Sequence, residues 1–311
     1  MNKSSNRPII IWLLIVCVMV FTMVMIGGIT RLTDSGLSMV DWKPIMGAIP
    51  PISETEWLKS FSDYKNYPEF QKINSDMTLT EFKSIFFWEY FHRLFGRLIG
   101  MAFFFPYLYF LIKKRLDKKL NRKLIIAFIL GGMQGLMGWY MVKSGLVDRP
   151  DVSHFRLAAH LGLAFLIIGY IFWILFPLIK DKKSLDNHPI VYKFLKLFLV
   201  IIGLQIIYGA FVAGLDAGLA YNTFPKMGSK WIADSAFVGS GFFNLIFENN
   251  TMIQFIHRSL GWLVFIFSFG LLITSRKISN ITQKKSLIFI FIMVFVQFLL
   301  GVSTLVMLVP I

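Results

Sequence analysis

Glu89-Tyr90-Phe91-His92-Arg93-Leu94-Phe95-Gly96 stands near the start of a long apolar run, and Gln254-Phe255-Ile256-His257-Arg258-Ser259-Leu260-Gly261 repeats its pattern near the start of another. A histidine-arginine pair at the mouth of an apolar run, present twice and followed one turn on by glycine, reads as a duplicated ligand-bearing device on membrane helices. The organisation of the rest of the chain can be worked outward from that pair.

Apolar residues make up 56% of the 311 and charged residues 16%, and the mean hydropathy is +0.65. That balance excludes an ordinary soluble domain and points to a polytopic membrane protein. The net charge of +15 is therefore no nucleic-acid footprint, because most of it lies in short loops between apolar runs. Cys17 is the single cysteine, which excludes an intrachain disulfide and a cysteine-based zinc cluster. The first apolar run is long and lacks a small-residue cleavage site, so it reads as a retained span.

A hydrocarbon core of about 30 Å needs roughly 20 residues of helix. Seven runs qualify, at about 9–29, 85–111, 124–142, 155–179, 195–214, 251–275 and 286–309. Each is expected to be a helix, since backbone amides in lipid must be satisfied within their own segment. Lys3 and Arg7, the 113–123 loop, Lys180 to Lys196, and Arg276 to Lys285 fall on one side if the spans alternate. By the positive-inside rule that side, with the N-terminus, is the cytoplasm. The opposite loops hold nearly all the acids, among them Asp34, Asp41, Glu54, Glu56, Asp63 and Glu81. Two outer loops, 31–84 and 215–250, are long enough to suggest lids, and 54–83 has room for short amphipathic helices.

Aligning the second span with the sixth matches the third with the seventh, through Gln134-Gly135-Leu136-Met137-Gly138 and Gln297-Phe298-Leu299-Leu300-Gly301. The first then matches the fifth, each running into a Gly-Leu turn (Gly36-Leu37, Gly218-Leu219). The expectation is an all-α integral membrane protein of two tandem four-helix units related by internal duplication, residues 1–190 and 191–311. The eighth helix is missing from these residues, and the repeat offset would put its histidine beyond Ile311. The chain is either truncated there or differs in that half.

His92, His160 and His257 each lie within about two turns of the outer end of their apolar run, at a shared depth. Spans two and four run parallel, so imidazoles of His92 and His160 facing across a bundle can take both axial positions of one haem iron. The plainer alternative for any one histidine is a hydrogen-bonded core residue or proton relay. Gly96, Ala164 and Gly261, one turn on, would let a flat macrocycle lie against the helix. Arg93, Arg97 and Arg258, with Arg31 and Arg156 at span ends, suit haem propionates or outer carboxylates, and equally suit snorkelling to the interface. His154 reads as a loop residue, and His188, beside Pro189, has nothing to recommend it. Three residues before each repeated histidine the copies differ: Glu89 in the first, Gln254 in the second. A carboxylate beside a haem can take a proton or stabilise positive charge, whereas an amide only hydrogen-bonds. The Glu89 pocket is thus the candidate reactive one; the bland reading is that Glu89 only pairs with Arg93 one turn away.

These residues resemble the heme A synthase family, in the subgroup shared by mitochondria and alphaproteobacteria. The resemblance is carried by Gly27-Gly28-Ile29-Thr30-Arg31-Leu32-Thr33, Ser35-Gly36-Leu37-Ser38, Trp42-Lys43-Pro44, Glu89-Tyr90-Phe91-His92-Arg93, Gln134-Gly135-Leu136-Met137-Gly138-Trp139, Arg156-Leu157-Ala158-Ala159-His160, Asn222-Thr223-Phe224-Pro225-Lys226-Met227 and His257-Arg258, in order over nearly the whole chain. Some members of the family carry a cysteine pair in the first outer loop; this chain lacks it, as the subgroup does.

The resemblance implies a multi-pass enzyme of the bacterial inner (cell) membrane that oxidises the C8 methyl of haem O to the formyl of haem A, for cytochrome c oxidase. It implies His92 and His160 as axial ligands of the substrate haem near the outer face, Glu89 as the catalytic carboxylate beside it, and His257 as one axial ligand of a haem b cofactor. Haem O would come from a haem O synthase, with direct contact between the two and self-association in the lipid left open; no nucleic-acid partner is expected. Two other classes compete. A bis-histidine electron carrier of the cytochrome b kind explains the histidines and not the Glu89/Gln254 difference. A transporter with parallel repeats calls for a polar midplane cavity, whereas the polar residues here cluster near the outer end.

Overall fold

The computed structural model describes residues 6–40, 46–145, 152–179, 186, 188–239 and 241–309. Trp42-Lys43-Pro44, Asp41, Lys3, Lys180, Lys182, Lys183 and the terminal Pro310-Ile311 lie outside the described residues. Among those described there is no strand, only an isolated bridge between Met227 and Lys230.

All seven expected spans are helices: α1 (Arg7–Leu32), then, after two short helices α2 (Glu54–Lys65) and α3 (Pro68–Lys72), α4 (Leu79–Ile112), α5 (Lys118–Gly145), α6 (His154–Ile179), α7 (Pro189–Gly214), a short α8 (Phe242–Phe247), α9 (Asn250–Thr274) and α10 (Ile281–Val306). The seven long ones are long and apolar enough to cross a membrane. The helices outrun their apolar runs because polar residues cap them. Thr78 and Glu81 form a reciprocal capping box that starts α4 at Leu79 rather than near 85. His92 therefore sits about three and a half turns inside its helix, not within two. Pro189 opens α7 at a position where its missing N–H is harmless. Asn249 and Asn280 cap α9 and α10 with their side-chain oxygens.

The chain divides into two compact units, Met1–Lys180 and Asp181–Ile311. In the first, α1 packs on α4 and α6, and α5 packs on α6 and α4, leaving α4 and α6 at opposite corners of a four-helix bundle. Its apolar core fills one half of the bundle, with Leu13 and Val16 of α1, Phe103 of α4, Leu124 of α5 and Ile171 and Leu175 of α6. Lipid is as apolar as these side chains, so close van der Waals packing holds the helices together. The histidines lie in the other half, toward the opposite end of every helix.

The expected amphipathic helices in the first outer loop are α2 and α3. Ser53 and Glu56 cap α2 reciprocally. Phe61 and Tyr64 of α2 pack with Phe82 and Phe86 on the first turns of α4, which is why α4 continues past its apolar run. In the second unit α9 packs against both α7 and α10. Its core, Val191, Phe198, Leu271, Ile278 and Leu287, again lies at the end away from the histidine.

Candidate functional site

Each of the three histidines is pressed onto a glycine of a neighbouring helix. A Cβ added at Gly27 of α1 would come within 3.2 Å of Cε1 of His92, and one at Gly138 of α5 within 3.1 Å of Cε1 of His160. In the second unit a Cβ at Gly209 of α7 would come within 3.2 Å of Cε1 of His257. Contacts that close leave no comfortable room for a methyl group, so each ring lies against helix backbone.

Nδ1 of all three rings is buried without a hydrogen-bond partner. A buried unpaired ring nitrogen is costly unless something else uses its lone pair. Among the described residues no three His, Cys, Asp or Glu side chains converge as a bare metal ion requires. An orphaned nitrogen on each of two diagonal helices, in the half of the bundle free of the apolar cluster, is a donor set that fits an iron bringing its own equatorial ligands, as haem does.

Beside this lies the carboxylate. Glu89 is 3% exposed. Arg93 donates to its Oε1, so the pairing one turn along the helix is real. It is not the whole of the arrangement. Ser38 Oγ and the Met39 backbone N–H donate to Oε2 at 2.7 and 2.6 Å, and Arg93 also donates to the Met39 carbonyl at 2.9 Å. The loop after α1 is thereby strapped onto α4 at the residue one turn before His92.

The second unit builds the same strap with opposite polarity. Gln254, 2% exposed, donates to the carbonyls of Gly218 and Tyr221 at 3.1 and 3.0 Å. Arg258 donates to the carbonyls of Tyr221 and Thr223 at 2.6 and 2.8 Å. Asp34 and Asp216 open the two loops with left-handed backbones, φ 47° and 50°, each seven residues after the glycine that seats its histidine. Aspartate tolerates that conformation better than most residues.

Arg93 and Arg258 thus spend part of their five donors on the loops. Arg31 pairs with Asp34 at 2.7 Å, and Arg156 lies over the ring of Tyr140 at 4.5 Å. His154 is not a loop residue: it is the first residue of α6 and is buried, its ring against Phe155. Gly96 and Gly261 meet neighbouring side chains, since an added Cβ would come 3.4 Å from Met23 Cε and 3.6 Å from Gln205 Nε2. The seating glycines and Met39 carry no side-chain chemistry of their own, and nothing local in the sequence ties the Ser38 hydroxyl to Glu89. The signal that could have found the glycines is their constant place, with Gly27 and Gly209 each nine residues before the Gly-Leu turn.

Residues 10–311 match the family model described as cytochrome oxidase assembly protein, COX15-CtaA. The chain is 45% identical to the heme A synthase of Nitrosospira multiformis, over 99% of this chain and 87% of that protein. It is 43% identical to the heme A synthase of Flavobacterium johnsoniae over 99% and 92%, and 45% identical to that of Nitrosomonas eutropha over 99% and 88%. No solved structure matches it. A match that runs from the first span to the last residue and includes every histidine discussed above leaves one conclusion: the chain belongs to the COX15-CtaA family of cytochrome oxidase assembly proteins.

Proposed function

We propose that this chain is a heme A synthase, oxidising the C8 methyl of haem O to the formyl of haem A in a bacterial cell membrane. The observation that carries the assignment of roles is the pair of straps, alike in build, one closed by a buried carboxylate and the other by a buried amide. A matched pair of electron-carrier sites would not need that difference. Relatives bearing the name heme A synthase, similar over nearly the whole chain, support the same reading.

His92 and His160 would hold the substrate between α4 and α6, and His257 would be one ligand of a haem b resident in the second unit. When bound, that haem supplies a one-electron redox centre. Converting a methyl to a formyl consumes one water and releases four protons, with four electrons leaving to an oxidant that this chain's residues do not supply. Each proton needs an acceptor near the reacting carbon. Glu89 is the buried carboxylate one turn from His92, and Arg93, Ser38 and Met39 hold it oriented. It takes the proton, or steadies positive charge as electrons leave the methyl.

The two units are read as copies of one duplicated four-helix design, with the N-terminus in the cytoplasm and the histidine ends toward the outer face. Haem O arrives from a haem O synthase, and haem A passes to cytochrome oxidase assembly. The test is pigment analysis of cells that make haem O and lack any other source of haem A. Expression of this chain should yield haem A, and Glu89→Ala should abolish it with haem still bound. Haem A at wild-type levels in Glu89→Ala cells would remove Glu89 from the scheme, and no haem A from the unaltered chain would remove the assignment.

A further inference from the structure

At the end of the first bundle away from the histidines, α1 and α4 part around a groove of about 620 Å³. Arg7, Ile11 and Ile15 of α1 line it with Ala102 and Pro106 of α4. The buried Trp12 reaches from α1 to α4 at its base. Pro106 has no N–H to give the Ala102 carbonyl one turn back, and Trp12 Nε1 donates to that carbonyl at 2.8 Å instead. The base is therefore satisfied and offers a ligand only apolar surface. Ile11 and Ile15 are 48% and 52% exposed, and on a helix long and apolar enough to cross a membrane that exposure is to lipid.

Larger side chains stand at the matching places of the second unit. The offsets from His92 to His257 and from Gly27 to Gly209 put Phe267 where Ala102 is, Leu271 where Pro106 is and Phe194 where Trp12 is. Phe194 and Phe267 pack with ring centroids 6.0 Å apart, and Leu271 is fully buried. Pro189 stands at the position of Arg7. Where the second unit fills its helix seam with its own rings, the first leaves a groove with a guanidinium at the mouth.

We propose that this groove binds an anionic phospholipid of the leaflet at the N-terminal end of the bundle, its phosphate on Arg7 and one acyl chain along Ile11, Ile15, Ala102 and Pro106. Arg7 is exposed and has no hydrogen-bond or ion-pair partner among the described residues. At the same end the strongly basic 113–123 loop holds one acid, Asp117, whose Oδ1 already accepts from the Leu120 amide at 2.7 Å. Guanidinium pairs strongly with phosphate, and basic pockets between membrane helices hold anionic headgroups. From Arg7 to Ile15 is about 12 Å of helix, most of the roughly 15 Å depth of one hydrocarbon leaflet. A zwitterionic headgroup would set its own cation against the basic loop. A bare isoprenoid or an apolar peptide would leave Arg7 unused.

The test is native mass spectrometry of the full chain, purified in detergent and stripped of lipid, titrated with dioleoyl phosphatidylglycerol and, separately, dioleoyl phosphatidylcholine. The first phosphatidylglycerol should bind more tightly than the first phosphatidylcholine by about fivefold or more. Arg7→Gln should remove most of that preference, and Lys277→Gln, a cation of the second unit, should leave it unchanged. Ala102→Phe, which copies the second unit, should weaken the first phosphatidylglycerol by a similar factor. Ile11→Trp fills the groove from its exposed side without entering the core, and it should do the same even where Ala102→Phe fails to fold. Equal affinity for the two lipids would make the groove a seam that any lipid fills and overturn the proposal. So would an Arg7→Gln effect no larger than that of Lys277→Gln, or phosphatidylglycerol binding undiminished in Ile11→Trp.

Discussion

Ser38, on the loop that leaves α1, donates its hydroxyl to Glu89 on α4 at 2.7 Å across 51 positions of sequence. The same Oγ lies 3.0 Å from the Ser35 carbonyl, within donating distance. One hydroxyl proton therefore has two acceptors. Ionised Glu89 attracts it; a protonated Glu89 can donate back to Oγ while the hydroxyl turns to Ser35. Ser38→Ala removes this adjustment and a hydrogen bond to a charged group, about 1.5–3 kcal/mol. Haem A formed per bound haem O should fall by about tenfold or more with haem binding retained, and Ser38→Thr should recover much of it. Wild-type turnover in Ser38→Ala would show that the loop contact is only structural.

Exchanging the strap residues should fail in both directions, for different reasons. Glu89→Gln leaves Arg93, whose side chain is 9% exposed, without its carboxylate, and stripping one partner from a buried pair costs about 3–5 kcal/mol. Gln254→Glu sets a carboxylate against the carbonyls of Gly218 and Tyr221, where the amide had donated to both. Glu89→Gln should lose haem A formation, and Gln254→Glu should loosen the 215–250 loop without conferring oxidation on the second unit. Protease sensitivity of that loop reads the second effect; resistance equal to wild type would contradict it.

The seating glycines make a cleaner test, because each has a neighbour to serve as its control. Cβ atoms at Gly28, Gly135 and Gly203 meet nothing within 4 Å, whereas those at Gly27, Gly138 and Gly209 meet an imidazole. Alanine is the better helix former at all six. Gly27→Ala and Gly138→Ala should each weaken the low-spin haem spectrum of the first unit, Gly209→Ala should lower the haem retained by the second, and the control substitutions should do neither. Identical spectra across the two sets would mean that the rings adjust freely.

The spans were legible in the residues because lipid forces helices and sets their length, so 124–142 or 286–309 could be read without knowing their neighbours. His160 and Glu89 were legible for the same reason: a polar group in an apolar run must have a use or a partner. The start of α4 was legible only as a Thr78-Glu81 capping box, and that α4 runs on from there into its apolar run was not, because it rests on Phe82 and Phe86 packing on Phe61 and Tyr64 of a separate helix. His154 was misread since burial against α6's own first turn leaves no mark in sequence. Ser38 and Met39 were invisible as partners of Glu89 because nothing local links residues half a hundred positions apart.

The N-terminal cap of α2 should itself respond to acid. The backbone amides of Ser53 and Ile52 donate to Glu56 at 3.0 and 2.7 Å and hold its carboxyl below its ordinary value of 4.5. A carboxylate with a lowered folded-state pKa adds stability that is present above the ordinary value and lost as pH falls through the lowered one. The α2 cap should therefore be firm at neutral pH and loosen only in acid below the ordinary carboxylate range. Exchange of the Ile52 and Ser53 amide protons, corrected for intrinsic rate, should accelerate there, and Glu56→Gln should remove most of that pH dependence. Because Tyr64 and Phe61 carry α2 onto the first turns of α4, the same acid should raise proteolysis in 53–72 before it touches the spans. An acid profile of Glu56→Gln matching the unaltered chain would show that another group governs the cap.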